Sequence, residues 1–392
     1  MSVWRLGAKN FGGAKWRRIF NVLLVLVAWV FVPHASFSLE TAAKQAVLLD
    51  YETGLHLYSK NADELMSPAS MTKMMTVYLI FERLKEGRLS LEDQFLVSRK
   101  AWRKGGSKMF VEAGERVSVE DLIRGIVVQS GNDATIVVAE GLSGSEEAFA
   151  REMTEKARDL GMSNTTFKNA SGWPDPDHRT SAGDLAILAG ATIKNFPEMY
   201  HYYAEREFTF SQIKQQNRNP LLGRLRGADG LKTGYTENAG YGLTASAMRD
   251  GRRLIIVLNG LPSERARKVE SQRMMDWGFR EFGNYKLFEA NEKIESASVW
   301  LGKTARVPML AKEGVLLTLE RKYRRDLKVK IRYEAPISAP IKKGAVLGDI
   351  FVEVANRSPI TVQLIAGKDV ARLGPGGRLT AALGHLLWGA SK

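Results

Sequence analysis

The 392-residue chain contains no cysteine, which excludes disulfide bonds, thiolate nucleophiles and cysteine-ligated metal sites. Histidine is scarce. The five present, His34, His56, His178, His201 and His385, include no pair at the i, i+4 spacing of a His-Glu-x-x-His zinc helix, so no metal and no cofactor is expected. Acidic residues are missing from positions 1–38, where Arg5, Lys9, Lys15, Arg17 and Arg18 stand alone. Nowhere do Lys and Arg interleave with aromatics as in a nucleic-acid module. The formal charge of +14 therefore points to an anionic membrane or wall as partner and not to nucleic acid. The apolar run Ile19–Val32, broken only by Asn21, has 14 residues, short of the ~20 that span a bilayer. Basic segment, apolar run, then Pro33 and the small residues Ala35, Ser36 and Ser38 follow the order of a secretory signal, so residues 1–38 are expected to be cleaved near Ser38 and the mature chain exported, with an uncleaved anchor as the alternative.

What remains is long enough for two domains with extensions. Ala46–Leu49 and Leu55–Tyr58 flank Glu52-Thr53-Gly54, a hairpin pattern that leaves His56 on a strand. Pro68 ends extended structure. Ser70 then opens a run with Met71, Met74, Met75, Tyr78 and Leu79 at helical spacing, and the methionines are read as core. Ser118 followed by Asp121 marks another helix start, with Leu122, Ile123, Ile126 and Val127 as its apolar face. That helix leads into Gln129-Ser130-Gly131-Asn132-Asp133, and a further apolar helix, Ala134–Glu140, leaves it. A polar loop between two buried helices is unusual if it only has to pack. Ala170–Arg179, with Gly172, Pro174 and Pro176, reads as a surface loop, and Ser181–Ile193 as helix. Gly230–Gly234, Gly242–Ala247 and Arg253–Leu258 read as an antiparallel meander turning at Arg249–Arg252. A helix over Glu264–Phe282 follows, with Val269, Met274, Trp277 and Phe282 inward.

From about Leu287 short period-2 strands replace helices: Leu327–Tyr333, Ile350–Val354 and Ile360–Leu364 alternate, as in a small all-β domain, expected over residues 287–373. It carries no catalytic cluster, so a spacer or binding module is the expectation. Gly374–Gly377 reads as a linker. Beyond it Leu379, Ala382, Leu383, Leu386, Leu387 and Ala390 share one helical face with Trp388 at its flank. Fifteen residues make a helix of only ~22 Å, too short to span. An interfacial anchor over 374–392 fits better than a helix docked on the protein itself.

Three short motifs carry the chemistry. Serine acyl transfer needs a nucleophile, a base, a proton relay to the leaving amine and an oxyanion hole. Ser70 at a helix start and Lys73 on the same face suit the first two. Lys73 must shed its proton near neutral pH, which burial, the helix N-terminus and a second cation would favour. Lys232 of Lys232-Thr233-Gly234 can be that cation. Alternation puts Lys232 and Gly234 on one face of a strand, where Gly234 leaves room for a substrate backbone. Ser130 can pass a proton to the leaving nitrogen, Asn132 can hold Lys73 and substrate, and Thr233 with Lys232 suits a carboxylate. Ser-x-x-Lys recurs at Ser211–Lys214, and Ser-x-Asn at Ser59–Asn61. Only Ser70 has the other two motifs following in order, the combination found in penicillin-binding proteins and class A β-lactamases.

The stretches Pro68–Thr76, Leu122–Gly125, Gln129–Ala134, Glu207–Phe210 with Gln216–Asn219, and Trp277–Arg280 resemble the low-molecular-mass penicillin-binding proteins of the penicillin-binding protein 5 and 6 type, D-alanyl-D-alanine carboxypeptidases. So does the order of signal, catalytic domain, β-rich domain and tail. The resemblance implies an α+β fold, with a penicilloyl-serine transferase/β-lactamase-like catalytic domain (an antiparallel sheet flanked by helices) over residues 39–286. It also implies removal of the terminal D-alanine from peptidoglycan stem peptides, acylation by β-lactams at the same serine, and a place on the periplasmic side of the cytoplasmic membrane. Carried onto this chain, Ser70 is the acylated nucleophile, Lys73 its base and Ser130 the proton relay. Asn132, Lys232, Thr233 and Gly234 bind substrate, the N–H groups of Ser70 and Tyr235 form the oxyanion hole, and Arg267 lies near the carboxylate end. Tyr235 stands where the best-known member has histidine. A serine β-lactamase shares this chemistry, but no Glu-x-x-Leu-Asn motif is present to hold its deacylating water. A membrane-tethered protein that only clamps wall peptides, and a transpeptidase or endopeptidase using the same acyl-enzyme, remain open.

Overall fold

A computed structural model describes residues 39–354 and 358–388, with side chains to 383. The expected signal segment 1–38 and the end of the tail, Ala390 included, lie outside the described residues. The fold begins with the hairpin Gln45–Asp50 and His56–Lys60, on which His56 is exposed. Its first strand pairs with Arg252–Leu261, which pairs with Gly240–Arg249 and then Ala228–Thr236, all antiparallel, giving a five-stranded sheet. Asp50 is fully buried at the end of that first strand.

Alternation along the central strand explains why the sheet has helices on both faces. Leu254, with Leu48, meets Gly278 of the helix Glu264–Glu281, where a side chain would collide with both. Ile255, one residue on, points to the opposite face against Gly190 of the helix Ala182–Asn195. On that side lies the main core, built from the helices Lys73–Lys85, Val119–Val127 and Asn132–Ser143. Helix starts follow their sequence signals: Ser118, Ser181 and Ser263 each accept a bond from the backbone N–H three residues on. The inward set of the Glu264 helix differs from expectation. Val269 is 51% exposed and Trp277 only half-buried, while Arg267, Ser271, Met274, Met275 and Gly278 face in. Phe282 is buried, but as the first residue of a strand.

That strand, Phe282–Phe288, pairs with Val315–Glu320. A six-stranded sheet follows, its core made of Val307, Met309, Ile350, Val352 and Leu364. The two regions are joined through Asp50, which accepts from Arg252 Nε at 2.7 Å and Asn284 Nδ2 at 3.1 Å, and through Thr53, whose hydroxyl lies 2.6 Å from that of Thr318. The terminal helix runs Pro375–Trp388, so Gly374–Gly377 is largely its first turn and not a separate linker. Pro at the front of a helix costs no bond, since the first N–H groups have no partner inside it. Leu379 and Leu383 on this helix are 66% and 50% exposed. Among the described residues no helix is long and apolar enough to cross a membrane.

Candidate active site

Ser70 does not sit in the α-helix itself. It lies in a 3-10 turn, Ala69–Thr72, and the helix starts at Lys73. Tightening the first turn keeps Ser70 one turn ahead of Lys73, and Lys73 Nζ donates to Ser70 Oγ at 2.9 Å. The same nitrogen is 2.8 Å from Asn132 Oδ1 and 2.7 Å from the carbonyl of Ser171. Three oxygen partners fix Lys73, which is fully buried. Asn132 is fixed in turn: its Nδ2 donates to Gly105 O at 2.9 Å and its backbone N–H to Ser107 O at 2.7 Å. Asp133 accepts from the N–H groups of Met109 and Phe110, so the stretch after Asn132 also holds the loop that forms one wall.

Strain gathers at this point. Ala69 has φ +46° and Ser130 φ +67°, left-handed conformations that residues with a Cβ seldom adopt and that cost about 1–3 kcal/mol each. Gly172 packs so closely on this turn that a Cβ there would stand 1.8 Å from the carbonyl oxygen of Ala69. Ala170–Arg179 is therefore more than a surface loop: Ser171 and His178 in it are buried. His178 Nε2 is 2.8 Å from the Thr72 hydroxyl and its Nδ1 accepts from Lys168 N–H. Burial pushes its pKa down to about 4, so it is neutral and braces the turn.

On the opposite wall, the Ala228–Thr236 strand carries Lys232, Thr233, Gly234 and Tyr235. Gly234 faces the Ser70 turn, where a Cβ would lie 2.9 Å from Pro68 O and 3.3 Å from Ala69 Cβ. Only a glycine lets strand and turn come this close, which brings the backbone at Tyr235 beside Ser70. The Tyr235 ring is 50% exposed and stacks on Tyr241 at 4.3 Å between centroids. Ser70, Ser130, Asn132, Thr233, Gly234, Tyr235 and Arg267 all line one cleft of about 820 Å³, with Lys232 buried just behind Thr233. Every residue singled out from the sequence is thus brought to one place. The rival Ser-x-x-Lys is dispersed: Ser211 occupies the tip of a hairpin at φ +45°, and Lys214 pairs with Glu207 on the surface.

Burial is the main force on the two lysines. It lowers Lys73 to about 7, helped by the charge of Arg218 and, more weakly, Lys104, and opposed by Asp133. Lys232 is pushed well below the ordinary lysine range by burial first, then by Lys73, Arg218 and Arg267. Two buried amines this near each other resist double protonation. The foremost cation acting on Lys73 is therefore Arg218 and not Lys232. Sequence reasoning gave Arg218 no role, although it stands in the Gln216–Asn219 stretch. It donates to Ser107 Oγ at 2.6 Å across the cleft mouth. Trp173, Tyr241 and Glu264 also line the cleft and were missed. The Trp173 ring lies 4.4 Å from Lys104 Nζ, and only spatial proximity could have revealed that. Arg267 is 4% exposed, pairs with Glu264 at 3.0 Å, and its Nε has no hydrogen-bond partner among the described residues. A buried guanidinium with an unused donor suits a carboxylate.

The sequence profile described as D-alanyl-D-alanine carboxypeptidase matches residues 31–262, and that of the penicillin-binding protein 5 C-terminal domain matches residues 282–372. The chain belongs to the D-alanyl-D-alanine carboxypeptidase family. D-alanyl-D-alanine carboxypeptidase DacA of Haemophilus influenzae is 37% identical over 348 residues, covering 87% of this chain and 88% of that one. DacC of Escherichia coli is 38% identical over 345 residues, 86% of each chain. The crystal structure of penicillin-binding protein 5 from Haemophilus influenzae superposes with a TM-score of 0.75 at 36% identity, over 86% of this chain and all of that one. The enzyme class is that of the serine D-alanyl-D-alanine carboxypeptidases, on the fold expected for them.

Proposed function

We infer that Ser70 is the nucleophile that takes the acyl group when the terminal D-alanine is removed from a peptidoglycan stem peptide. The observation that carries this reading is the 2.9 Å bond between Ser70 Oγ and a fully buried Lys73 whose pKa lies about 7. Near neutral pH a good fraction of Lys73 is a free amine able to accept the serine proton. Ser130 relays that proton to the leaving nitrogen. The N–H groups of Ser70 and Tyr235 receive the oxyanion, and Asn132 and Gly234 line the substrate backbone. The substrate carboxylate lies towards Lys232, Thr233 and Arg267. β-Lactams, whose ring carbonyl and carboxylate mimic that end of the peptide, acylate the same serine.

Residues 39–286 carry the chemistry, 287–373 form a supporting β-rich domain, and 1–38 direct export. In 374–392 a terminal helix rests on the outer face of the cytoplasmic membrane. The exposure of Leu379 and Leu383 supports the last point, since a helix docked on the protein would bury them. Purified mature protein should release D-alanine from a diacyl-L-Lys-D-Ala-D-Ala peptide, and Ser70→Ala should abolish it. Rapid penicillin turnover without D-alanine release would overturn the reading in favour of a β-lactamase, and peptide binding without release in favour of a clamp. Deleting 378–392 should free the exported protein from membranes, and unchanged fractionation would refute the anchor.

A further inference from the structure

Where the β-rich region meets the catalytic sheet lies a pocket of about 530 Å³ that shares no lining residue with the cleft. Five arginines line it: Arg226, Arg249, Arg252, Arg280 and Arg321. Three acids stand against them, Glu52, Asp250 and Asp276. Asp250 is taken by Arg226 and Asp276 by Arg249, each at 2.8 Å, while both oxygens of Glu52 accept from the backbone N–H of Arg253. Arg280 pairs with Glu281, which lies outside the wall. Arg321 has no carboxylate partner among the described residues. It donates to the carbonyls of Arg280 at 3.0 Å and Phe279 at 3.4 Å.

Arg252 is the decisive side chain. It is 9% exposed, and two of its three nitrogens are engaged. Nε donates to Asp50 at 2.7 Å, and Nη1 to the carbonyls of Gly278 at 3.2 Å and Phe282 at 2.8 Å. Nη2 is buried with no partner among the described residues. Buried donors in native proteins are met by protein, ordered water or a ligand, because leaving one unmet is costly. Phe279 draws the cations together: its ring centroid lies 4.4 Å from the guanidinium carbon of Arg249 and 5.8 Å from that of Arg252.

Guanidinium forks match the paired oxygens of carboxylates and phosphates. A phosphate, with its three terminal oxygens, also suits forks arriving from more than one side. Here they come from two, Arg249 and Arg252 from the catalytic sheet and its last hairpin, Arg321 from the β-rich region. We propose that this pocket binds a phosphate group, carried by a free anion or by a lipid headgroup, which bridges Arg252 Nη2 and Arg321 across the junction.

The test follows backbone hydrogen exchange in the mature protein by mass spectrometry. Inorganic phosphate is raised to about 10 mM at constant ionic strength, so that the screening of exposed charges does not change. Amides in 276–286 and 315–326 should slow saturably, with the rest of the chain unaffected, because a ligand stabilises the state that binds it. Arg321→Gln should weaken binding about tenfold and Arg280→Gln about threefold, with D-alanine release within about twofold in both. A cooperative thermal transition checks that Arg321→Gln is folded; Arg280, exposed at the rim, carries the test if it is not. Phosphatidylglycerol vesicles without dissolved phosphate form the second arm. Slowing of the same two stretches there assigns the site to a headgroup, and slowing by dissolved phosphate alone assigns it to a free anion. No slowing in either arm overturns the proposal and leaves Nη2 to a water. Equal slowing in Arg321→Gln overturns it too, as does uniform slowing of the whole chain, the general effect of a salt excluded from protein surface.

Discussion

Lys73 is 0% and Lys232 2% exposed on either side of the cleft, whereas between Phe282 and Leu373 the buried polar side chain among the described residues is Thr318 alone. Ala69 and Ser130 in the N-terminal region are left-handed, as are Asn291 and Leu301 in the β-rich region, whose core packs Val, Ile, Leu and Met. One region buries groups that would be more stable in water, and the other does not. Such burial persists only where the surrounding structure enforces it, and the cost it carries makes the chemistry possible. The β-rich region serves a different purpose. Its contacts at Asp50 and Thr53 dock it on the catalytic sheet, away from the cleft.

Breaking the costly side of the contrast should give the largest effects. Ser70→Ala should lower D-alanine release by about 10⁴-fold or more and abolish covalent labelling by penicillin, as removal of a serine nucleophile does elsewhere. Lys73→Met should lower release by about 10²–10⁴-fold and should also change how stability depends on pH. Lys73 titrates near 7 in the folded state against 10.5 when free, so unfolding takes up a proton between those values and the wild type gains stability as pH rises across that window. The variant lacks this term. Its stability relative to wild type should be most favourable at and below about pH 7 and should decline towards pH 10.5, as read by denaturant titration. A gap that stays constant with pH would mean Lys73 is not buried as described.

On the other side, Ile350→Ala should cost about 2–5 kcal/mol of stability in urea unfolding through the cavity left in the β-rich core. The pH profile of D-alanine release from soluble peptide should not move. A smaller effect, under one pH unit, is expected of Arg218→Gln. Removing the cation that most depresses Lys73 should shift the acidic limb of the rate profile upward.

Much of this contrast was legible in the sequence, for reasons that differ by element. The catalytic meander followed from alternation and the Asp250-Gly251 turn, and three helix starts from serine caps. Ser70, Lys73, Ser130, Asn132 and Lys232 were legible because their order restricts chance matches. What sequence could not give was decided by packing. Val269 fits a helical stripe but faces solvent because the small and polar Ser271 and Gly278 let the sheet approach on another side. Arg218 reads as one more surface cation until the hairpin before it folds over the cleft. Trp173 and His178 lie in a Gly/Pro-rich loop that looked merely exposed, yet its backbone supplies a partner of Lys73 through Ser171.

The central claim is that a neutral Lys73 activates Ser70. It is tested most directly by the rate of acylation by penicillin across pH 6 to 10. The account predicts a rise through an apparent pKa of about 7 that disappears in Lys73→Met together with nearly all of the rate. A rate that stays flat from pH 6 to 9, or that rises only near the ordinary lysine value of 10.5, would contradict it.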